Sequence, residues 1–313
     1  MNIRKATEED IPEIVSVLKA SLGEKELSLS EEIWRYKHVF NPFGKSVVLI
    51  AEEEDKIVGV RAFMRWKWQS NNKTYSAFRA VDTATHPKHQ GKGIFKRLTL
   101  AAVERVKNEG DHFIFNTPNE MSRPGYLKMG WEPVGKIYIG IKPSLGFLNL
   151  RKKSVFPAIQ KNTTAQKIDV LCHHWNHNLQ KSKSSFTPKS ADFLEWRYEK
   201  NPLQEYTVIA EDFYYLAVYI KKRGKLKELR VAEFLYNEDE FNREERKKLL
   251  KNIEKKFSAH LISFSPQFLE LFGKKGYLGP LLVLNDLNLT PEERLLFKDI
   301  TKWYNSIGDL ELF

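Results

Sequence analysis

The stretch Val81-Asp-Thr-Ala-Thr-His-Pro-Lys-His-Gln-Gly-Lys-Gly-Ile-Phe95 decides how this chain folds. Its first residues end a β-rich run that begins near Tyr75 and reads as a strand to Thr85. Gly91 and Gly93 follow in a short loop, and from Gly93 to Lys107 apolar residues recur at helical spacing. Glycines in such a loop let successive backbone N–H groups converge on one point with no Cβ in the way. A helix start adds unpaired donors and the positive end of the helix dipole. Together they make a cradle for a phosphate or pyrophosphate, and Lys88, Lys92, Lys96 and Arg97 bring positive charge to the same place. The loop lacks the Gly-Lys-Ser/Thr ending of a nucleoside-triphosphate loop, and Lys96 stands where the third glycine of G-x-G-x-x-G would fall.

Working outward, the first half alternates strands and helices. Asn2 to Ala6 reads as a strand, and Thr7 followed by three acids opens a helix with Ile11, Ile14, Val15, Val17 and Leu18 on one face. Ser28 or Ser30 caps a second helix through Trp34, Tyr36 and Val39, which Asn41-Pro42 ends. Val47–Ala51 and Ile57–Trp68 form a hairpin; Met64, Trp66 and Trp68 alternate within it and belong to a buried face. Beyond the central helix come a strand from His112 to Asn116, a short helix opened by Ser122 and Pro124 and closed by Gly130, and a last strand from Trp131 to Ile141.

The second half repeats the first. Trp34-Arg35-Tyr36 with Asn41-Pro42 returns as Trp196-Arg197-Tyr198 with Asn201-Pro202. The run His112-Phe-Ile-Phe-Asn-Thr-Pro118 returns as His260-Leu-Ile-Ser-Phe-Ser-Pro266, and Gly130-Trp131 as Gly276-Tyr277. Matches that recur in the same order argue for a duplicated unit, which suits 313 residues and 42% hydrophobic content. The polar tract from 142 to 190 is expected to connect the copies. There is no run of eighteen apolar residues and no apolar segment behind Met1, so no membrane span is expected and the protein is read as cytoplasmic. The single cysteine, Cys172, agrees with a reducing compartment. An excess of 51 Lys+Arg over 40 Asp+Glu, a charge of +11, favours an anionic partner: nucleic acid, an acidic membrane or a phosphorylated small molecule.

The segment Thr85-His86-Pro87 with Gln90-Gly91-Lys92-Gly93-Ile94-Phe95 resembles the acyl-CoA-binding motif of the GNAT (Gcn5-related) N-acetyltransferase superfamily, in which a strand ending in hydrophobic-x-Pro leads into Gln/Arg-x-x-Gly-x-Gly/Ala. Thr85 and Phe95 depart from that pattern. A second stretch, Asn119-Glu-Met-Ser122-Arg-Pro-Gly-Tyr126-Leu-Lys128-Met-Gly130-Trp131, resembles the family's downstream signature. The resemblance covers residues 1–141 and implies two tandem GNAT-like α/β domains, each a twisted mixed sheet flanked by helices: a catalytic domain at 1–141 and a degenerate copy at 191–313. It further implies acetyl-CoA as co-substrate, its pyrophosphate on the backbone of Gln90, Gly91, Lys92, Gly93, Ile94 and Phe95. Pantetheine would lie along Thr83 and Thr85, with Asn119 bonding the cofactor or the helix start. Tyr126 would protonate the departing thiolate. Asp82 is the first candidate for the base that frees the attacking amine, and Glu120 the second.

The acceptor is expected to be a small amine or amino sugar rather than a protein, with nucleic acid disfavoured and the chain a monomer or homodimer. Two rival readings stand: a CoA-binding sensor or scaffold that transfers nothing, and an aminoacyl-tRNA-dependent peptidyl transferase with paired GNAT-like domains. In the second copy Phe272 falls at the place of Tyr126, and the residues before its helix, Tyr236-Asn-Glu-Asp-Glu-Phe241, contain no glycine. Cys172, His173, His174 and His177 have helical spacing but no clear fourth ligand, so no metal is expected. Arg246 to Lys256 reads as an amphipathic helix with a solvated basic face.

Overall fold

The computed structural model describes residues 1–22, 30–146 and 158–310. In chain order the first half contains β1 (Asn2–Lys5), α1 (Ile11–Leu22), α2 (Glu31–His38), β2 (Val47–Glu53), β3 (Lys56–Ser70), β4 (Lys73–Thr85), α3 (Ile94–Asn108), β5 (Phe113–Asn116), α4 (Arg123–Lys128), β6 (Glu132–Lys136) and β7 (Ile139–Pro143). The second half contains β8 (Ile159–Lys161), α5 (Ala165–Gln180), β9 (Ser185–Phe186), α6 (Ala191–Leu194), β10 (Thr207–Glu211), β11 (Tyr214–Arg223), β12 (Leu226–Tyr236), α7 (Arg243–Phe257), β13 (Leu261–Phe264), β14 (Lys274–Gly276), β15 (Leu281–Asp286), α8 (Pro291–Lys298), β16 (Trp303–Tyr304) and α9 (Ile307–Leu310). These strands build two mixed sheets flanked by helices, the architecture that the family resemblance implies.

The two sheets have one topology. The first runs β1-β2-β3-β4-β5-β15-β6 and the second, read in the same sense, β8-β10-β11-β12-β13-β7-β14. In each, a parallel pair sits at the centre: β4 with β5, and β12 with β13. The duplication extends to single hydrogen bonds. His112 N donates to Ser76 O while its Nδ1 accepts from Ser76 N; His260 does the same with Lys227. Asn41 Oδ1 accepts from Phe43 N, and Asn201 Oδ1 from Leu203 N. One difference lies at the outer strand: β1 is antiparallel to β2, whereas β8 is parallel to β10.

The two compact units are not the contiguous segments 1–141 and 191–313. Unit 1 comprises Met1–Trp68, Thr74–Gly135 and Leu281–Asp299; unit 2 comprises Gln69–Lys73, Lys136–Pro280 and Ile300–Phe313. Strands β7 and β15 are exchanged between the two sheets. β15 pairs with β5 in unit 1, and β7 pairs with β13 in unit 2. Nor is the tract 142–190 only a connection. Residues 147–157 lie outside the described residues, but from 158 onward the chain supplies β8, α5 and β9 to unit 2. Thr164 caps α5, which buries Ile168, Leu171, Cys172 and Trp175 along one side. Of the two caps expected for α2, Ser30 is the one that accepts from Ile33 N, while Ser28 lies outside the described residues.

The unit 1 core joins one face of its sheet to α3 and α4, through Leu49, Phe63, Phe78, Ala80, Ile94, Leu98, Ala102, Tyr126 and Trp131. Gly59 is required there, because a Cβ would stand 2.6 Å from the Ile94 side chain. Met64, Trp66 and Trp68 are fully buried, as their alternation requires. Both tryptophans pack edge-on against Phe115.

Candidate functional site

Strands β4 and β5 hold register from Ala77–Phe113 to Arg79–Phe115, and then β5 ends while β4 runs on to Thr85. The last residues of β4 therefore present an open backbone edge toward that side, to which an extended ligand can add like a strand. Beside it lies a cleft of about 530 Å³ lined by Thr83, Ala84, Thr85, His89, Gln90, Gly91, Gly93, Ile94, Phe95 and Lys96. Eight of the nine residues expected to hold the cofactor thus stand together, with Lys92 in the same loop and Asn119 the exception.

The loop backbone is the reason for its glycines. Gly91 and Gly93 have φ of 79° and 73°, left-handed values that strain any side chain, although a Cβ at either would meet nothing within 4 Å. Gly93 is the N-cap of α3 and supplies no side-chain acceptor, and no acid stands in the first turn. The helix start keeps its donors for a ligand. Gln90 Nε2 donates to Thr85 O and Arg97 Nη2 to Lys92 O, which ties the loop to the strand before it and the helix after it. Lys92 is partly spent on Glu53, which also meets His89 Nδ1 at 2.9 Å. Thr83 Oγ1 donates to Val60 O, and Asn119 Oδ1 accepts from Ser122 N and Oγ. Of its two expected uses, Asn119 shows the one at the helix start.

Tyr126 sits on α4, 4% exposed, against Phe95 and Trp131. Its hydroxyl oxygen accepts from Arg61 Nη1 at 2.9 Å. The phenolic hydrogen has no acceptor among the described residues, and Tyr126 is not among the residues that line the cleft. Sequence reading missed Arg61, because a charged residue in a strand ordinarily faces water.

Asp82 lies in β4 with φ of 38°, a left-handed kink in an otherwise extended strand. It forms an ion pair with Lys37 and a hydrogen bond with His38 Nε2 at 2.8 Å. Burial alone would raise the Asp82 carboxyl, but the Lys37 ammonium and the His38 ring outweigh it and hold the group well below the usual carboxylate range. Burial pushes His38 down from 6.5 despite Asp82, which leaves a neutral ring at pH 7. An ionised carboxylate only accepts, so His38 Nε2 carries the hydrogen and Nδ1 accepts from Ser46 Oγ at 2.8 Å. Lys37 and His38 were also missed. Their signal was polar side chains at the inward positions of an amphipathic helix, where the Trp34 and His38 rings pack tilted, 4.1 Å between centroids. Glu120, the second candidate base, is exposed. Cys172 is buried within α5, and no group of His, Cys, Asp and Glu among the described residues could hold a metal ion. No helix among them is long and apolar enough to cross a membrane.

Residues 2–134 match the family model described as acetyltransferase (GNAT) domain. No curated protein sequence matches the chain. Solved structures match over both halves. A probable N-acyltransferase of Enterococcus faecalis V583 superposes with a TM-score of 0.65 at 11% identity, covering 91% of this chain and 72% of that one. A GCN5-related N-acetyltransferase of Anabaena variabilis gives 0.62 at 11% identity, with 92% and 73% covered. The N-myristoyltransferase of Saccharomyces cerevisiae with bound myristoyl-CoA gives 0.51 at 11%, with 93% and 83% covered. At such identities the likeness is one of fold.

Proposed function

We propose that this chain is an acyl-CoA-dependent N-acyltransferase, with acetyl-CoA as donor and a primary amine on a small acceptor, a reading that starts from the match of residues 2–134 to the acetyltransferase (GNAT) domain family model. The observation that carries the reading is the uncapped α3 start, with its two left-handed glycines, beside the open edge of β4. The pyrophosphate takes the N–H groups from Gln90 to Phe95, and pantetheine pairs along Thr83 to Thr85. A main-chain N–H of that strand polarises the thioester carbonyl and supports the oxyanion that forms on attack.

The amine nitrogen forms a bond to the carbonyl carbon, the carbon–sulfur bond breaks, and Tyr126 gives its proton to the leaving sulfur. The proton that the amine loses passes through water to solvent; Asp82, the first candidate to accept it, contributes negative charge and little basicity, because the Lys37 ammonium and the His38 ring hold its carboxyl well below the usual carboxylate range. The chain acts in the cytoplasm. The sensor reading keeps the same cofactor site and differs only in the absence of turnover. The tRNA-dependent reading does not need the glycine loop, which is intact here. Acetyl-CoA should raise the melting temperature, whereas no shift with any acyl-CoA would refute the proposal.

A further inference from the structure

Arg61 is the one fully buried arginine in unit 1 whose charge meets no carboxylate among the described residues and whose Nε and Nη2 find no hydrogen-bond partner. It projects from β3 beneath the cofactor loop. Its Cζ stands 4.8 Å from the Phe63 ring, 5.3 Å from Tyr126 and 5.7 Å from Phe95. Three aromatic faces and one neutral phenol oxygen are its surroundings. Cation–π contact recovers part of the charge's lost hydration, but a buried cation without an anion remains costly. Such a cost persists where the charge has a use outside the resting state.

We propose that Arg61 is a positioning residue for Tyr126, a cation that gains its anion during turnover. This rests on the acyltransferase reading above. When Tyr126 gives its proton to the departing CoA sulfur, the thiol leaves neutral and the phenol becomes a phenolate at hydrogen-bonding distance from Arg61 Nη1. The ion pair exists only from that moment, so the interaction strengthens toward the transition state and not in the bound ground state. Arg61 also fixes direction. By donating to the phenol oxygen it turns the O–H hydrogen away from itself, toward a ligand. The proton is restored to Tyr126 from solvent after CoA departs.

Arg61→Met tests this, because it keeps bulk and removes the charge. The readout is CoA thiol release from acetyl-CoA with a mixture of butylamine, glucosamine and glycinamide, together with the melting temperature. Arg61→Met should lower kcat about 10²-fold, the effect of losing one preorganised donor, with the KM for acetyl-CoA unchanged. It should also raise the melting temperature, since an uncompensated buried charge is replaced by an apolar chain. Combined with Tyr126→Phe it should cost no more than about 3-fold beyond either alone, because both act on one proton transfer. Arg61→Lys should restore part of kcat. Effects that multiply with Tyr126→Phe, an unchanged kcat, or a fall in melting temperature would each overturn the inference while the acyltransferase reading stands. No wild-type turnover of acetyl-CoA would overturn that reading, and this inference with it.

Discussion

Asp82 and Glu233 occupy the same place in the two copies, and their surroundings have diverged. Each lies on the central strand, five residues beyond the partner of the residue that follows the repeated histidine: Ala77 against Phe113 and Glu228 against Leu261. Each meets a lysine, Lys37 or Lys189. Around Asp82 the side chain stays 18% exposed, close to a cleft. Around Glu233 everything is sealed: Lys189 also pairs with Asp309, Tyr198 donates to Glu233, and none of these side chains is more than 2% exposed.

The helix starts differ in the same sense. Gly93 leaves α3 uncapped, whereas Asn242 Oδ1 accepts from Glu244 N and Glu245 N, and Glu245 Oε2 accepts from Asn242 N. The N–H donors left open in one copy are consumed by side chains in the other, where two first-turn acids would repel an anion. Between β13 and β14 no helix forms where α4 stands in the first copy, and Phe272 is 91% exposed where Tyr126 is buried. One fold has kept its ligand donors open, and the other has turned the same positions into internal structure.

The largest effect should come from the sealed copy. Lys189→Met leaves Glu233 and Asp309 buried without their cation and should cost about 3–5 kcal/mol in urea unfolding; a loss below about 1 kcal/mol would mean the network does not hold unit 2 together. Next, Tyr126→Phe should reduce kcat about 10²-fold with little change in acetyl-CoA affinity, while Phe272→Tyr should change neither.

Asp82→Asn should follow with a stability loss of ~2 kcal/mol at pH 7 that depends on pH. The folded carboxyl is held below its ordinary 3.8, so its stabilisation is present above that value and is lost as pH falls through the lower folded one. The gap between wild type and variant should therefore close in acid; a gap constant from pH 7 to pH 2 would show that the charge of Asp82 is not what stabilises. Glu233, raised by burial first, has the opposite sign and contributes no such acid loss. The smallest effect belongs to Arg35→Ala. Its solvent-screened pair with Glu8 should leave urea unfolding nearly unchanged, unlike its counterpart Arg197, buried and bonded to Gly308 O and Tyr206.

The sequence carried the alternation of elements, the duplication and the glycine loop before α3 because each rests on local signals: periodicity, caps, glycines and ordered repeats. Two things were not legible. The exchange of β7 and β15 was hidden because an alternating strand announces that it is a strand, not which sheet it joins. Arg61, Lys37 and His38 were hidden because their burial depends on partners far along the chain, with Arg61 enclosed by Phe95 and Tyr126 and Lys37 by Asp82. Charge on an isolated strand or helix reads as solvent-facing, and only the tertiary structure reverses that.

Calorimetric titration of acetyl-CoA tests the contrast between the copies most directly. Wild type should bind one molecule per chain, Gly93→Glu should abolish binding through backbone strain and like charge at the α3 start, and Asn242→Ala should leave the stoichiometry at one. Absence of binding in wild type, two molecules per chain, or binding that survives Gly93→Glu would contradict a single open site at α3.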